Sequence, residues 1–140
     1  MRLIPQVIFD TSTLVGAALR TGSVPYLALA RAFSSCVFCV SIESLEELAE
    51  VLKQDKFNIY RSLSLRLEFL DVLRGNAQIF SVRKEHLEAT QNACRDPQDN
   101  LFLALALAAE ADQLISSDQD LLVLHPWKGV SILTPAEFLR

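Results

Sequence analysis

Apolar residues fall along this chain in two rhythms. Short, mostly apolar runs occur at Val7 to Phe9, Cys36 to Val40, Ala77 to Val82, Gln113 to Ser116 and Val130 to Leu133. Each is the length of a buried strand and too short for a helix. Between them the apolar positions take helical spacing. Ile42, Leu45, Leu48, Ala49 and Leu52 line one helix face after Ser41, and Leu63 to Leu73 repeats the pattern. Start signals agree with these assignments. Thr11, Ser12 and Thr13 precede the helical run Leu14 to Leu19, and Gly22-Ser23-Val24-Pro25 breaks the chain before a helix from about Pro25 to Ser34. Pro97 to Ala111 is expected to be one long buried helix capped by Asp96, and Thr134-Pro135-Ala136-Glu137 is a capping box with proline at the first helical position.

Strands and helices that alternate, with strands apolar along their whole length, predict a parallel sheet covered on both faces. The expected fold is α/β, a single-domain α/β/α sandwich over residues 1–140 with a mainly parallel sheet of about five short strands. A chain of 140 residues, 51% of them hydrophobic, can bury such a core in one unit, and the apolar surplus leaves room for a subunit interface. Neither repeat nor low-complexity tract divides it. The opening apolar run stops at Asp10, which fits neither a signal peptide nor an anchor, and Leu101 to Ala109 is about half the roughly 18 residues of a membrane span. A soluble cytoplasmic protein is expected. Three cysteines do not make a disulfide framework, and Cys36 and Cys39, three apart in a strand, point to opposite faces.

Ligands of such sheets bind beyond the carboxyl ends of the strands. The acids fall there: Asp10 after the first strand, Asp118 and Asp120 after Gln113 to Ser116, Asp99 at the start of the long helix, and Glu46 and Glu47 on the helix after the second strand. Each has a plain structural reading. Asp10 caps the first helix, Asp118 caps the turn Gln119 to Leu122, Asp99 closes a capping box with Asp96, and Glu46-Glu47 is a solvated face. Caps do not explain why these acids follow strands whose ends converge. Carboxylates within about 4 to 6 Å raise one another's pKa unless a cation holds them, and a hard ion such as Mg²⁺ or Mn²⁺ prefers oxygen ligands. His86 and His125 are isolated, and neither a Ser-His-Asp elbow nor a glycine-rich phosphate loop is present.

Four stretches, VIFDTSTLV, SLEELAEVL, DPQDNLFLALA and LISSDQDLL, in this order and spacing, together with the ending ILTPAEFL, resemble the PIN-domain family. More narrowly they resemble its bacterial toxin components of toxin–antitoxin systems, relatives of the VapC toxins. The resemblance implies that the family's acids correspond to Asp10, Glu47, Asp99 and Asp118, with Asp120 an additional acid and Ser116 a site hydroxyl. Ser12 stands where the family usually has Asn, and Ser117 where it often has Gly, so a turn needing positive φ there would be strained. Asp96 belongs to the same acidic loop. Glu46 is the alternative to Glu47, since both lie at the edge of the apolar face.

What the resemblance implies is a metal-dependent endoribonuclease using Mg²⁺ or Mn²⁺. Asp10, Asp99 and Asp118 are the expected metal ligands, with Glu47 and Asp120 as possible additions and Ser12 and Ser116 in support. An RNA substrate, a small antitoxin partner and a homodimer follow from the same likeness. Charge is the awkward fact: 13 Lys and Arg stand against 17 Asp and Glu, a formal net charge of −4, where nucleic-acid binders usually show a basic footprint. Two divalent ions would cancel it. Arg20, Arg31, Lys53, Lys56 and Arg61 are available for local phosphate contacts. The alternatives are an acidic-pocket phosphatase or phosphoacceptor in which Asp10 is the nucleophile, and an inactive metal-binding interaction domain.

Overall fold

The computed structural model describes residues 3–140. Five strands, β1 (Gln6–Phe9), β2 (Val37–Val40), β3 (Ala77–Ile79), β4 (Gln113–Ile115) and β5 (Ser131–Leu133), form one sheet in the order β3-β2-β1-β4-β5. Every neighbouring pair is parallel. The helices among the described residues are α1 (Thr11–Leu19), α2 (Val24–Ser35), α3 (Ile42–Leu52), α4 (Leu63–Gly75), α5 (Lys84–Ala89), α6 (Asn100–Ala109), α7 (Gln119–Leu122) and α8 (Pro135–Leu139). The expected α/β/α sandwich is the fold observed.

Alternation along the strands divides the interior into two cores. Val7, Phe9, Phe38 and Val40 face one side, where they meet Leu14, Leu29, Leu48, Leu52 and Leu73 from α1 to α4. Ile8, Cys39 and Leu114 face the other, where Phe102, Leu103 and Ala106 of α6 close over them. Cys36 packs at the edge of the first core and Cys39 inside the second, so the two thiols are on opposite faces as their spacing requires. Phe9 sits edge-to-face on both Phe38 and Phe138, with centroids 5.8 and 6.1 Å apart, which fastens α8 onto the sheet. None of the helices among the described residues is long and apolar enough to cross a membrane.

Three local departures have identifiable causes. The expected helix Pro97 to Ala111 is broken: a 3-10 turn at Pro97–Asp99 precedes α6, which ends at Ala109 with Glu110 in the left-handed region at φ 50°. The third strand ends at Ile79; the Phe80 N–H still donates to Val40 O, after which the chain leaves the sheet for α5. That helix was not expected. It has six residues, few of them apolar, and its start is held by His86 Nδ1 accepting from the Arg83 N–H at 3.0 Å, a cap that composition does not announce.

Candidate active site

Strand order sets the position of the site. From β1 the chain moves to β2 and β3 on one side, then crosses to β4 and β5 on the other, so the crevice opens where β1 and β4 lie side by side. Phe9 pairs with Ile115 at the ends of these strands, and the Asp10 N–H continues the ladder onto Ile115 O at 3.2 Å. Asp10 and Ser116 therefore emerge as neighbours, although 106 residues separate them in the chain.

Asp10 is 3% exposed and serves two purposes. It is the N-cap of α1, with Oδ1 accepting from the Thr13 N–H at 3.0 Å, and Oδ2 accepts from the Ser116 hydroxyl. Burial pushes its carboxyl above the ordinary range. The bonds from Ser116 and Thr13 pull it back down, and the charge of Asp118 adds to the rise. Ser12 Oγ lies 3.5 Å from Asp10 Oδ1, at the outer limit of a hydrogen bond. Ser116 is fully buried, and its hydroxyl also accepts from the Asp118 N–H at 2.9 Å, so one side chain sets two acids.

Asp118 caps α7 through a bond from the Asp120 N–H at 2.9 Å, as its cap reading requires. Asp99 does not behave as a cap. The 3-10 turn is capped by Asp96, whose Oδ1 accepts from the Gln98 N–H at 3.0 Å, and the Asp99 side chain makes no capping bond. It is buried and turned toward Asp118 instead. Burial, a hydrogen bond to Asp118 and the negative charges of Asp118, Asp96 and Asp10 push the Asp99 carboxyl up to about 7. Among the described residues, Asp99, Asp118 and Asp120 offer carboxylate oxygens that all lie within 4.8 Å of one another.

Glu47 completes the arrangement from α3. Its Oε2 accepts from the Thr11 hydroxyl at 2.9 Å, and it lines the same cleft, of about 310 Å³, as Asp10, Asp99 and Asp118. Glu46, one residue earlier, is exposed. Of these two neighbours, Glu47 is the one that the approach of α3 to the start of α1 turns into the cleft. Ser117 is not among the described non-glycine residues with positive φ, which are Asn92, Glu110 and Lys128, so the strain expected at that position is absent.

The donor set fits a hard divalent cation. All donors are oxygen and three converge within 4.8 Å; the Asp99 carboxyl is raised first by burial and then by Asp118 and the other nearby acids, a charge repulsion that a cation would relieve. Asp10 lines the cleft but stands outside the tightest trio, because its two oxygens already serve Thr13 and Ser116. Each oxygen keeps a further lone pair for an ion. Asp120 is closer to the cluster than its order among the expected ligands suggested.

Other residues of the cleft were not singled out by the sequence. Thr11 belonged to a run of helix-starting hydroxyls and turns out to hold Glu47. Phe57, with no motif around it, forms part of the wall. Of the five basic residues offered for phosphate contact, Arg20, Arg31, Lys53 and Lys56 are exposed; Arg31 donates to Leu139 O at 2.7 Å, and the half-buried Arg61 donates to Thr21 Oγ1 at 2.9 Å.

Solved structures share this fold. VapBC2 from Rickettsia felis, bound to a DNA fragment from its promoter, superposes with a TM-score of 0.66 at 13% identity, covering 91% of this chain and 96% of that one. PAE2754 from Pyrobaculum aerophilum gives 0.65 at 14% identity, covering 97% and 88%. VapC20 from Mycobacterium tuberculosis, a sarcin-ricin loop cleaving toxin, gives 0.59 at 15%, covering 85% and 95%. No curated protein matches the chain by sequence. The PIN-domain family model matches residues 6–120, a span that contains β1, β4 and all the acids of the cleft. This chain belongs to the PIN-domain family.

Proposed function

We propose that the chain is a metal-dependent endoribonuclease, the toxin component of a toxin–antitoxin pair, acting on RNA in the cytoplasm. The observation that carries this reading is the meeting of Asp99 and Asp118 with Asp10 and Glu47 in one cleft, where Asp120 brings a third carboxylate within 4.8 Å of Asp99 and Asp118. Family membership supports a nuclease. The likeness to VapC20, a sarcin-ricin loop cleaving toxin, and to VapBC2, solved on DNA from its own promoter, supports the rest.

Asp10, Asp99 and Asp118, with Asp120, would hold one or two Mg²⁺ or Mn²⁺ ions. Such ions supply charge neutralisation and Lewis acidity toward a phosphodiester. The chain's own residues orient the reaction. Ser116 fixes the Asp10 carboxylate, and Thr11 fixes Glu47, which faces the cleft with an oxygen able to accept a proton from an attacking water. Hydrolysis then needs no protein nucleophile, which separates this reading from a phosphoacceptor in which Asp10 is the nucleophile. A small antitoxin protein and a second copy of the chain are the partners of this reading.

Incubation with a mixed RNA pool in Mg²⁺ or Mn²⁺, against EDTA and an Asp10→Asn control, tests it. Internal cleavage that needs the metal and is lost in the variant supports the reading. Cleavage that survives Asp10→Asn at full rate overturns the site. Metal binding without cleavage of any RNA leaves an inactive metal-binding domain.

A further inference from the structure

Phe57 reaches the cleft from the segment of residues 53–62 between α3 and α4, and this segment is built differently from the rest of the surface. Its sequence, KQDKFNIYRS, has three cations against one acid, Asp55, in a chain whose formal charge is −4. Phe57 lines the cleft together with Asp10, Glu47 and Asp99, Lys56 Nζ lies 5.2 Å from the centre of its ring, and Lys53 and Lys56 are exposed.

The segment is held from beneath by Arg66 of α4, which is 0% exposed. Its guanidinium donates to Leu52 O, Gln54 O, Arg61 O and Asn58 Oδ1, four neutral oxygens, three of them in the segment and one at its edge, and lies 6.0 Å from the Phe57 ring centre. A buried cation is costly unless its donors are satisfied, so moving the segment would strand the charge. Arg66 thereby ties the shape of the segment to its own solvation. The result is an aromatic ring fixed beside a carboxylate cluster, with exposed Lys56 against it and exposed Lys53 four residues earlier in the chain. Single-stranded nucleic acid is bound by that combination of a stacking ring and backbone-tracking cations.

Resting on the ribonuclease reading above, we propose that residues 53–62 form a subsite for single-stranded RNA, in which Phe57 stacks an unpaired base next to the scissile phosphate. Lys53 and Lys56 take neighbouring phosphates. Arg66 is a positioning residue that sets the height of the ring.

Binding is measured on the full chain carrying Asp10→Asn, with Mg²⁺ and a fluorescent mixed-sequence single-stranded oligoribonucleotide. Adding Phe57→Leu should weaken binding about tenfold, the scale of one lost base–aromatic stack. Phe57→Trp should restore it and show emission quenched by the unlabelled oligonucleotide, with the parent, whose single tryptophan is Trp127, as control. In the active chain, Phe57→Leu and Arg66→Met should raise KM more than they lower kcat, and Arg66→Lys should recover part of the loss. The subsite is overturned if Phe57→Leu binds like its parent, if the emission of the Phe57→Trp variant ignores the oligonucleotide, or if a blunt RNA duplex binds as tightly as the single strand. A parent that binds RNA while the leucine variant is unaffected refutes the subsite alone. A parent that neither binds nor cleaves RNA refutes the ribonuclease reading with it.

Discussion

Asp99 and Asp118 bring carboxylate oxygens within 4.8 Å of each other, although one opens α6 and the other opens α7. The raised Asp99 carboxyl, about 7 against an ordinary 3.8, means that the folded chain keeps a proton which the unfolded chain has already released. Stability of the metal-free protein should therefore fall as pH rises from about 4 to about 7, the window between those two values, and level off above it. Urea denaturation in EDTA at a series of pH values checks the slope. Excess Mg²⁺ should raise stability, most of all near neutral pH, and Asp99→Asn should flatten the slope, leaving the part owed to the raised Asp10 carboxyl, and weaken the metal response. A metal-free protein equally stable across that range would contradict the pairing.

Neutralising one cleft carboxylate at a time should remove activity without unfolding the chain. Asp10→Asn and Asp118→Asn are expected to lower kcat by at least about a hundredfold, the scale of losing a charge that anchors a catalytic ion. Asparagine is itself a good N-cap, so melting temperatures should move little. Alanine at the same positions should cost about 1 kcal/mol more through the lost cap. Paired melting curves and single-turnover rates separate the two effects.

Ser116 has no access to solvent, yet its hydroxyl sets both Asp10 and the Asp118 backbone. Ser116→Ala leaves a buried carboxylate short of a donor, which costs about 1–3 kcal/mol, and should slow cleavage about tenfold. Ser116→Thr keeps the hydroxyl and should retain more of both. An alanine variant with unchanged rate would mean that Asp10 needs no such orientation.

The neighbouring glutamates of α3 give a controlled comparison. Glu47→Gln should lower kcat, because this carboxylate faces the cleft under the Thr11 hydroxyl. Glu46 lies in solvent, and Glu46→Gln should change neither rate nor stability beyond about 0.5 kcal/mol. Rates measured side by side decide between them, and equal losses would refute the assignment.

The fold was legible because its signals are local and agree with one another. The apolar strands, apart from the shortened third one, the hydroxyl caps at Ser41 and Thr134 and the proline at Pro135 appear in the structure where the chain pattern put them. The acids were legible as positions after strands. What could not be read was their mutual geometry. Asp99 looked like the far half of a capping box, and only the 3-10 turn, which gives Asp96 the capping duty, frees it to meet Asp118. Glu46 and Glu47 differ by one step on a helix, and the contact that distinguishes them comes from Thr11, 36 residues away. Phe57 and Arg66 carry no motif, and their relation exists only once α4 has packed on α3.

The placement of the crevice between β1 and β4 also has a consequence during synthesis. Asp10 and Glu47 leave the ribosome early, whereas Ser116, Asp118 and Asp120 follow only once β4 has been made. A nascent or truncated product that stops before β4 has Asp10, Glu47 and Asp99 but lacks Asp118 and Asp120, so the carboxylate cluster cannot assemble until translation has passed the fourth strand.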